Sequence, residues 1–193
     1  MPHSNKLVGV LALQGAFAAH QAALASCGAS TRQVRVPADL VGLHGLVMPG
    51  GESTTMSRLL ATSMLFDPLE TAIAEGLAVF GTCAGMILLA SNVLDGRPDQ
   101  RSFAAIDITV RRNGYGRQVD SFEADIDVRS LDTPFHAVFI RAPKVEAVGS
   151  TVNVLAEHDG VAVLAKSGNI FVASFHPELT PDNRLHSLFL QEV

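Results

Sequence analysis

The sequence predicts an α/β fold: a mixed, mostly parallel central sheet flanked by helices, with antiparallel strands in the second half of the chain. Three observations support this. The runs Leu7–Leu13 and Ala78–Gly81 are almost wholly apolar, as expected of strands buried on both faces of a sheet covered by helices. These runs alternate with stretches whose apolar residues recur at helical spacing, as βαβ units require. From Ile106 onward the texture changes to short β-rich runs, most of them divided by Gly, Asn or Asp, which read as turns between antiparallel neighbours.

Leu7–Leu13 is the first strand and ends at Gln14-Gly15. Ala16–Ser26 carries Phe17, His20, Ala23 and Leu24 at helical spacing, and Gly28, just past Cys27, suits a left-handed cap. Thr31–Val36 and Gly45–Met48 are further strands, followed by helices at about Thr54–Leu60 and Asp67–Glu75. Ala78–Gly81 runs directly into Thr82-Cys83-Ala84-Gly85 and an apolar helix to Ala90. The later strands are Ile106–Arg111, Phe122–Val128, Ala137–Ile140, Val154–His158, Val161–Lys166 and Ile170–Ser174. Asp159-Gly160 marks a hairpin and Ser167-Gly168-Asn169 a second turn. A closing helix, Asn183–Leu190, follows Asp182, which is placed to cap it.

At 193 residues and 20.4 kDa the chain fits one domain, 1–193. With 48% hydrophobic and 17% charged residues it belongs among ordered globular proteins. The net charge is −5 and no Lys/Arg run exceeds two residues, so neither nucleic acid nor an anionic membrane is expected as a partner. Two cysteines, Cys27 and Cys83, are too few for a disulfide framework, and a reducing cytoplasm is the expected location. The N-terminal apolar run is too short to span a bilayer and lacks a small-residue cleavage site. There is no repeat, low-complexity tract or dividing linker.

Gly81-Thr82-Cys83-Ala84-Gly85 has the form G-x-C-x-G, a cysteine version of the nucleophile elbow in which a sharp strand-to-helix turn exposes the reactive atom. The flanking glycines let chains pass closely, and the first turn of a helix favours thiolate. Taken alone, Cys83 reads equally well as a small buried hydrophobe. A thiolate nucleophile needs a partner that later protonates a leaving amine. His176 stands at the end of the strand Ile170–Ser174, held extended by Pro177, and Glu178 is near enough to orient its ring. His3, His20, His44, His136, His158 and His186 read as ordinary surface or packed residues. None has zinc-ligand spacing with the cysteines, so no metal or other cofactor is expected. A third constellation, Met48-Pro49-Gly50-Gly51-Glu52-Ser53-Thr54-Thr55, is a glycine-rich loop between strand and helix. Gly45 to Gly50 mimics the spacing of a phosphate-binding loop. Gly51 and Glu52, however, stand where that motif needs Lys and Ser/Thr. A better use is an oxyanion hole, pairing the N–H of Ala84 with that of Gly50 or Gly51.

These three motifs, in this order, resemble a class I glutamine amidotransferase domain with its flavodoxin-like α/β fold. Leu11-Ala12-Leu13-Gln14-Gly15, Pro49-Gly50-Gly51-Glu52-Ser53-Thr54-Thr55, Arg112-Asn113 with Gly116-Arg117-Gln118, Ile140-Arg141-Ala142-Pro143 and Phe175-His176-Pro177-Glu178 narrow the match. Together they resemble the glutaminase family of pyridoxal phosphate synthase, along the chain from the first strand to the last helix. Gly114-Tyr115 departs from that family, which more often has a small residue then Phe. The resemblance implies Cys83 as nucleophile, His176 as base and acid and Glu178 as orienter, with glutamine contacts at Gly51, Glu52, Ser53, Arg112, Ile140 and Arg141. Glutamine carries an α-ammonium and an α-carboxylate, so Glu52 is expected to take the first and Arg112 or Arg141 the second. The resemblance also implies a barrel-shaped synthase subunit as partner in a hetero-oligomeric complex, receiving ammonia for pyridoxal 5'-phosphate synthesis. The alternatives the sequence leaves open are a glutaminase of another pathway, a non-catalytic α/β module and a cysteine hydrolase acting on esters.

Overall fold

A computed structural model of the chain describes residues 6–112, 114 and 121–193. Its first half alternates strand and helix: β1 (Leu7–Leu11), α1 (Phe17–Ser26), β2 (Ser30–Val34), β3 (Gly45–Met48), α2 (Ser53–Thr62), α3 (Phe66–Ala74), β4 (Ala78–Thr82) and α4 (Ala84–Leu89). The second half is mainly strand: β5 (Ala90–Leu94), β6 (Ile106–Arg111), β7 (Phe122–Ile126), β8 (Phe135–Phe139), β9 (Lys144–Val148), β10 (Asn153–His158), β11 (Val161–Ser167) and β12 (Ile170–Ala173), closed by α5 (Arg184–Leu190). A seven-stranded sheet runs in the order β10-β11-β12-β4-β3-β1-β2. Its five strands from β12 to β2 are parallel, and β10 and β11 extend it antiparallel. This is the mixed, mostly parallel sheet expected from the sequence.

Alternation along the central strands feeds two cores. Val8, Val47, Phe80 and Phe171 point to one face, where α1, α5 and the β7–β8 hairpin cover them. Leu46, Met48, Val79 and Val172 point to the other, covered by α2, α3, α4 and the small sheet β5-β6-β9. Both faces of the strands are thus apolar, which is why their sequences read as continuous hydrophobic runs.

Local signals are well obeyed. Gly28 takes φ +88° just past α1, and Asp159 and Gly160 take φ +50° and +73° between β10 and β11, as a tight hairpin requires. The carboxylate of Asp182 accepts the Arg184 N–H at 3.0 Å, closing the start of α5. Two strands were not anticipated. β5 follows α4 without a breaker, so the helix ends at Leu89 rather than Ala90. β9, of sequence KVEAV, is largely exposed and carries no apolar run. Both exist because β6 pairs with them, parallel to β5 and antiparallel to β9.

Candidate active site

Four parallel strands end at one place. β1 leads to Gln14-Gly15, β3 to Gly50-Gly51-Glu52, β4 to Cys83 and β12, through Phe175, to His176. From β1 the chain moves to β2 on one side and then crosses back to β3 on the other. Such a reversal opens a crevice beyond the carboxyl ends of the strands, where α/β proteins bind ligands. The cleft here is about 450 Å³ and is lined by Cys83, His176, Glu178, Gly50, Gly51, Glu52, Ser53, Arg112, Ile140 and Arg141. Sequence reasoning named all of these. Asn113, Tyr115 and the string Gly116-Arg117-Gln118 lie outside the described residues.

Cys83 adopts φ +49°, ψ −104°, a conformation costly for a residue with a side chain and retained only where surroundings impose it. Its N–H donates to the Ala173 carbonyl at 2.8 Å, and its own carbonyl accepts the Ile87 N–H at 3.3 Å. The glycines either side permit the turn. A Cβ on Gly85 would overlap the Met48 carbonyl, and one on Gly81 would lie 2.7 Å from the Gly85 backbone. Cys83 is 6% exposed, with Sγ 3.9 Å from the Ile140 carbonyl oxygen. Ala84, the first residue of α4, is buried directly behind it.

His176 is fixed by its N–H, which donates to the Val138 carbonyl at 2.8 Å, and by its Nδ1, 2.8 Å from Glu178 Oε1. Its ring lies over Gly50. A Cβ on Gly50 would overlap His176 Cε1 and come 3.3 Å from Cys83 Cβ, so Cys83, the imidazole and the glycine loop meet within one side chain's reach. Burial acts to lower the His176 pKa, but the Cys83 sulfur and the Glu178 carboxylate outweigh it and push the imidazole up to about 10. For Glu178, burial acts to raise the pKa, yet the hydrogen bond from His176 holds it below the usual carboxylate range. The arrangement therefore keeps an imidazolium beside a sulfur and a carboxylate through neutral pH.

At the other end of the cleft Glu52 caps α2, accepting from the Thr54 N–H at 3.0 Å, the Thr55 N–H at 2.7 Å and the Thr55 hydroxyl at 2.6 Å. Arg112 Nη2 donates to the same carboxylate at 2.8 Å. Burial would raise the Glu52 pKa, but the Thr55 and Thr54 hydrogen bonds hold it at about 2. Arg141, at φ +45°, makes no ion pair among the described residues. Gln14, to which the sequence assigns no role, reaches across the cleft: its Oε1 accepts the Glu52 N–H at 3.2 Å and ties the first loop to the second. His20, read as an ordinary packed residue, is wholly buried with Nε2 3.3 Å from Glu178 Oε2. Its place on the apolar face of α1 was the only signal.

Comparison with known proteins agrees with this geometry. The chain is 56% identical over 193 residues to pyridoxal 5'-phosphate synthase subunit PdxT of Salinispora arenicola, covering 97% of this chain and 96% of that protein. It is 56% identical over 189 residues to the subunit of the same name from Mycobacteroides abscessus, covering 98% of each. A crystal structure of a glutamine amidotransferase superposes with a TM-score of 0.90 at 46% identity, covering 96% of this chain and 97% of that one. The family model described as the SNO glutamine amidotransferase family matches residues 10–193. With its elbow, imidazole and carboxylate gathered at the ends of the parallel strands, the chain belongs to the SNO glutamine amidotransferase family.

Proposed function

We propose that the protein hydrolyses L-glutamine to L-glutamate and ammonia through Cys83, His176 and Glu178, and supplies that ammonia to a synthase subunit for pyridoxal 5'-phosphate synthesis. The observation that carries the chemistry is the meeting of the strained Cys83 elbow with a His176 ring bonded at 2.8 Å to Glu178. The Cys83 thiolate attacks the side-chain amide carbon. The tetrahedral oxyanion is received by the Ala84 N–H together with that of Gly50 or Gly51. Collapse expels ammonia, protonated by the His176 imidazolium, and leaves a thioester. Water, deprotonated by the now neutral His176, then attacks the thioester, releasing glutamate and restoring the Cys83 thiolate beside the His176 imidazolium.

Glu52 is assigned to the α-ammonium of glutamine and an arginine to the α-carboxylate. Glu52 is already paired with Arg112, whereas Arg141 has no ion pair among the described residues, which favours Arg141 for the carboxylate. The pathway assignment rests on the relatives, both named as subunits of pyridoxal 5'-phosphate synthase, and the barrel shape of the synthase partner is what the sequence resemblance implies. Two free cysteines suit a reducing cytoplasm; no helix among the described residues is long and apolar enough to cross a membrane.

The test is ammonia or glutamate release from glutamine, with and without the matching synthase subunit, for the parent and Cys83→Ala. Hydrolysis that disappears in Cys83→Ala and rises with the synthase is expected. Cys83-dependent hydrolysis indifferent to the synthase would move the enzyme to another pathway, and activity surviving in Cys83→Ala would end the proposed mechanism.

A further inference from the structure

Behind the cleft a line of buried polar groups runs from Glu178 into the core. His20 on α1 and His186 on α5 are both fully buried. Glu178 gives Oε1 to His176 and turns Oε2 inward, where His20 Nε2 lies 3.3 Å away. The same His20 nitrogen is 3.3 Å from the Thr82 hydroxyl oxygen, one residue before the nucleophile. His20 Nδ1 is 2.9 Å from His186 Nε2. Glu178 Oε2 and His186 Nδ1 have no hydrogen-bond partner among the described residues, and His20 Nε2 faces Glu178 Oε2 as a polar contact off the hydrogen-bond axis.

Only one assignment of protons satisfies this line. If His20 carried its proton on Nδ1, its Nε2 lone pair would face a carboxylate oxygen, and His186 would bury an unpaired N–H at Nδ1. With the proton on Nε2, His20 donates to the Thr82 hydroxyl and turns the positive end of the same N–H dipole toward Glu178 Oε2, a charge–dipole contact at 3.3 Å. Its Nδ1 then accepts from His186 Nε2–H. The atoms left without a hydrogen bond are then two acceptors, Glu178 Oε2 and the His186 Nδ1 lone pair, a lesser cost than an orphaned donor.

We propose that His20 is a positioning residue of the glutaminase site: neutral and protonated on Nε2, in a tautomer set by His186, it holds Glu178 Oε2 and so fixes the carboxylate that orients His176. This rests on the Cys83–His176–Glu178 reading above. The groups facing His20 are Glu178, Thr82, His186 and, beyond the carboxylate, His176. Burial holds His20 down to about 4 in spite of Glu178, and burial together with His20 holds His186 at about 3. Neutrality matters, because a charged His20 would compete with His176 for the same carboxylate, whereas a neutral donor steadies it without taking the charge.

The experiment compares parent, His20→Leu, His20→Gln and Cys83→Ala for glutamine hydrolysis across pH in the presence of the synthase subunit. In His20→Leu the N–H dipole facing the carboxylate is gone: kcat is expected to fall about tenfold, as for loss of one polar contact to a buried charged group, with KM for glutamine little changed. The alkaline limb, set by the His176 imidazolium, should move to lower pH. Gln presents an amide N–H near the position of Nε2 and should keep kcat within about threefold, with the limb in place. Equal behaviour of the Leu and Gln variants, or an unmoved limb in His20→Leu, would mean that His20 only fills space. A parent without Cys83-dependent hydrolysis would instead remove the underlying reading. Should His20→Leu not fold, nitrogen-15 NMR of the parent's histidines decides: neutral Nε2–H forms are expected for His20 and His186, and an Nδ1–H or charged His20 at neutral pH overturns the proposal.

Discussion

Cys83 and the His176–Glu178 pair were legible because each sits in a short contiguous motif whose chemistry depends on near neighbours. The strained turn at Cys83 needs only the small residues around it, and Glu178 is close enough in sequence to meet its histidine at 2.8 Å. His20 and Gln14 gave no such signal. Their partners arrive from distant strands and helices: 166 residues separate His20 from His186, and 38 separate Gln14 from Glu52. A prediction belongs to this scale. Glu178→Gln keeps the shape of the orienting group and removes its charge. The His176 pKa, now about 10, should fall toward the ordinary histidine range, and glutamine hydrolysis by at least about 10²-fold, as when an acid–base partner is disturbed. The sign of the pH dependence follows. In the parent the imidazolium, the proposed acid for departing ammonia, is lost only as pH rises through about 10; in the variant that limb should appear at lower pH. A pH–rate profile checks both, and an unchanged alkaline limb would contradict the assigned role of Glu178.

Among the elements, the junction from β4 to α4 carries the most constraint. Strand, turn and helix are packed so closely that two glycines have backbone where a side chain would begin. Gly85→Ala places its Cβ on the Met48 carbonyl of β3, which cannot swing aside as a flexible side chain would. We expect a stability loss of roughly 1–3 kcal/mol, typical of overpacking a filled core, read as a lowered urea midpoint, with displacement of Cys83 and lost activity. Retention of full stability would show that β3 yields. Elements with their own turn chemistry were legible, such as the α1 cap at Gly28 and the β10–β11 hairpin at Asp159-Gly160. β5 and β9 were not, since pairing to β6 decides them, and pairing is a property of the neighbour.

For the molecule as a whole, buried histidines shape the response to pH in opposite directions. His20 and His186 are held at about 4 and about 3 in the fold, against 6.5 when unfolded. Below 6.5 the unfolded chain therefore binds more protons, and stability falls as pH drops toward 4. His176 is raised to about 10 from 6.5, so its contribution is complete below 6.5 and is lost as pH rises through about 10. Stability should therefore be greatest near pH 6.5, with slopes of at most about 1.4 kcal/mol per pH unit for each histidine titrating. Urea unfolding at a series of pH values reads this directly. A flat profile on the acid side would mean that His20 and His186 are not held neutral.

By itself the sequence determined the class of fold, the doubly buried strands, the elbow at Cys83, the paired His176 and Glu178, and the glycine loop with Glu52. These follow from period, turn chemistry and contiguous motifs, which act over a few residues. Only the tertiary structure decided that Glu52 both caps α2 and pairs with Arg112, that Gln14 ties two loops together, that β5 and β9 are strands, and that His20 stands behind Glu178. Each of these depends on which distant segments the sheet order brings together. That order is set by the burial of two apolar faces at once, a condition no local stretch of the chain contains.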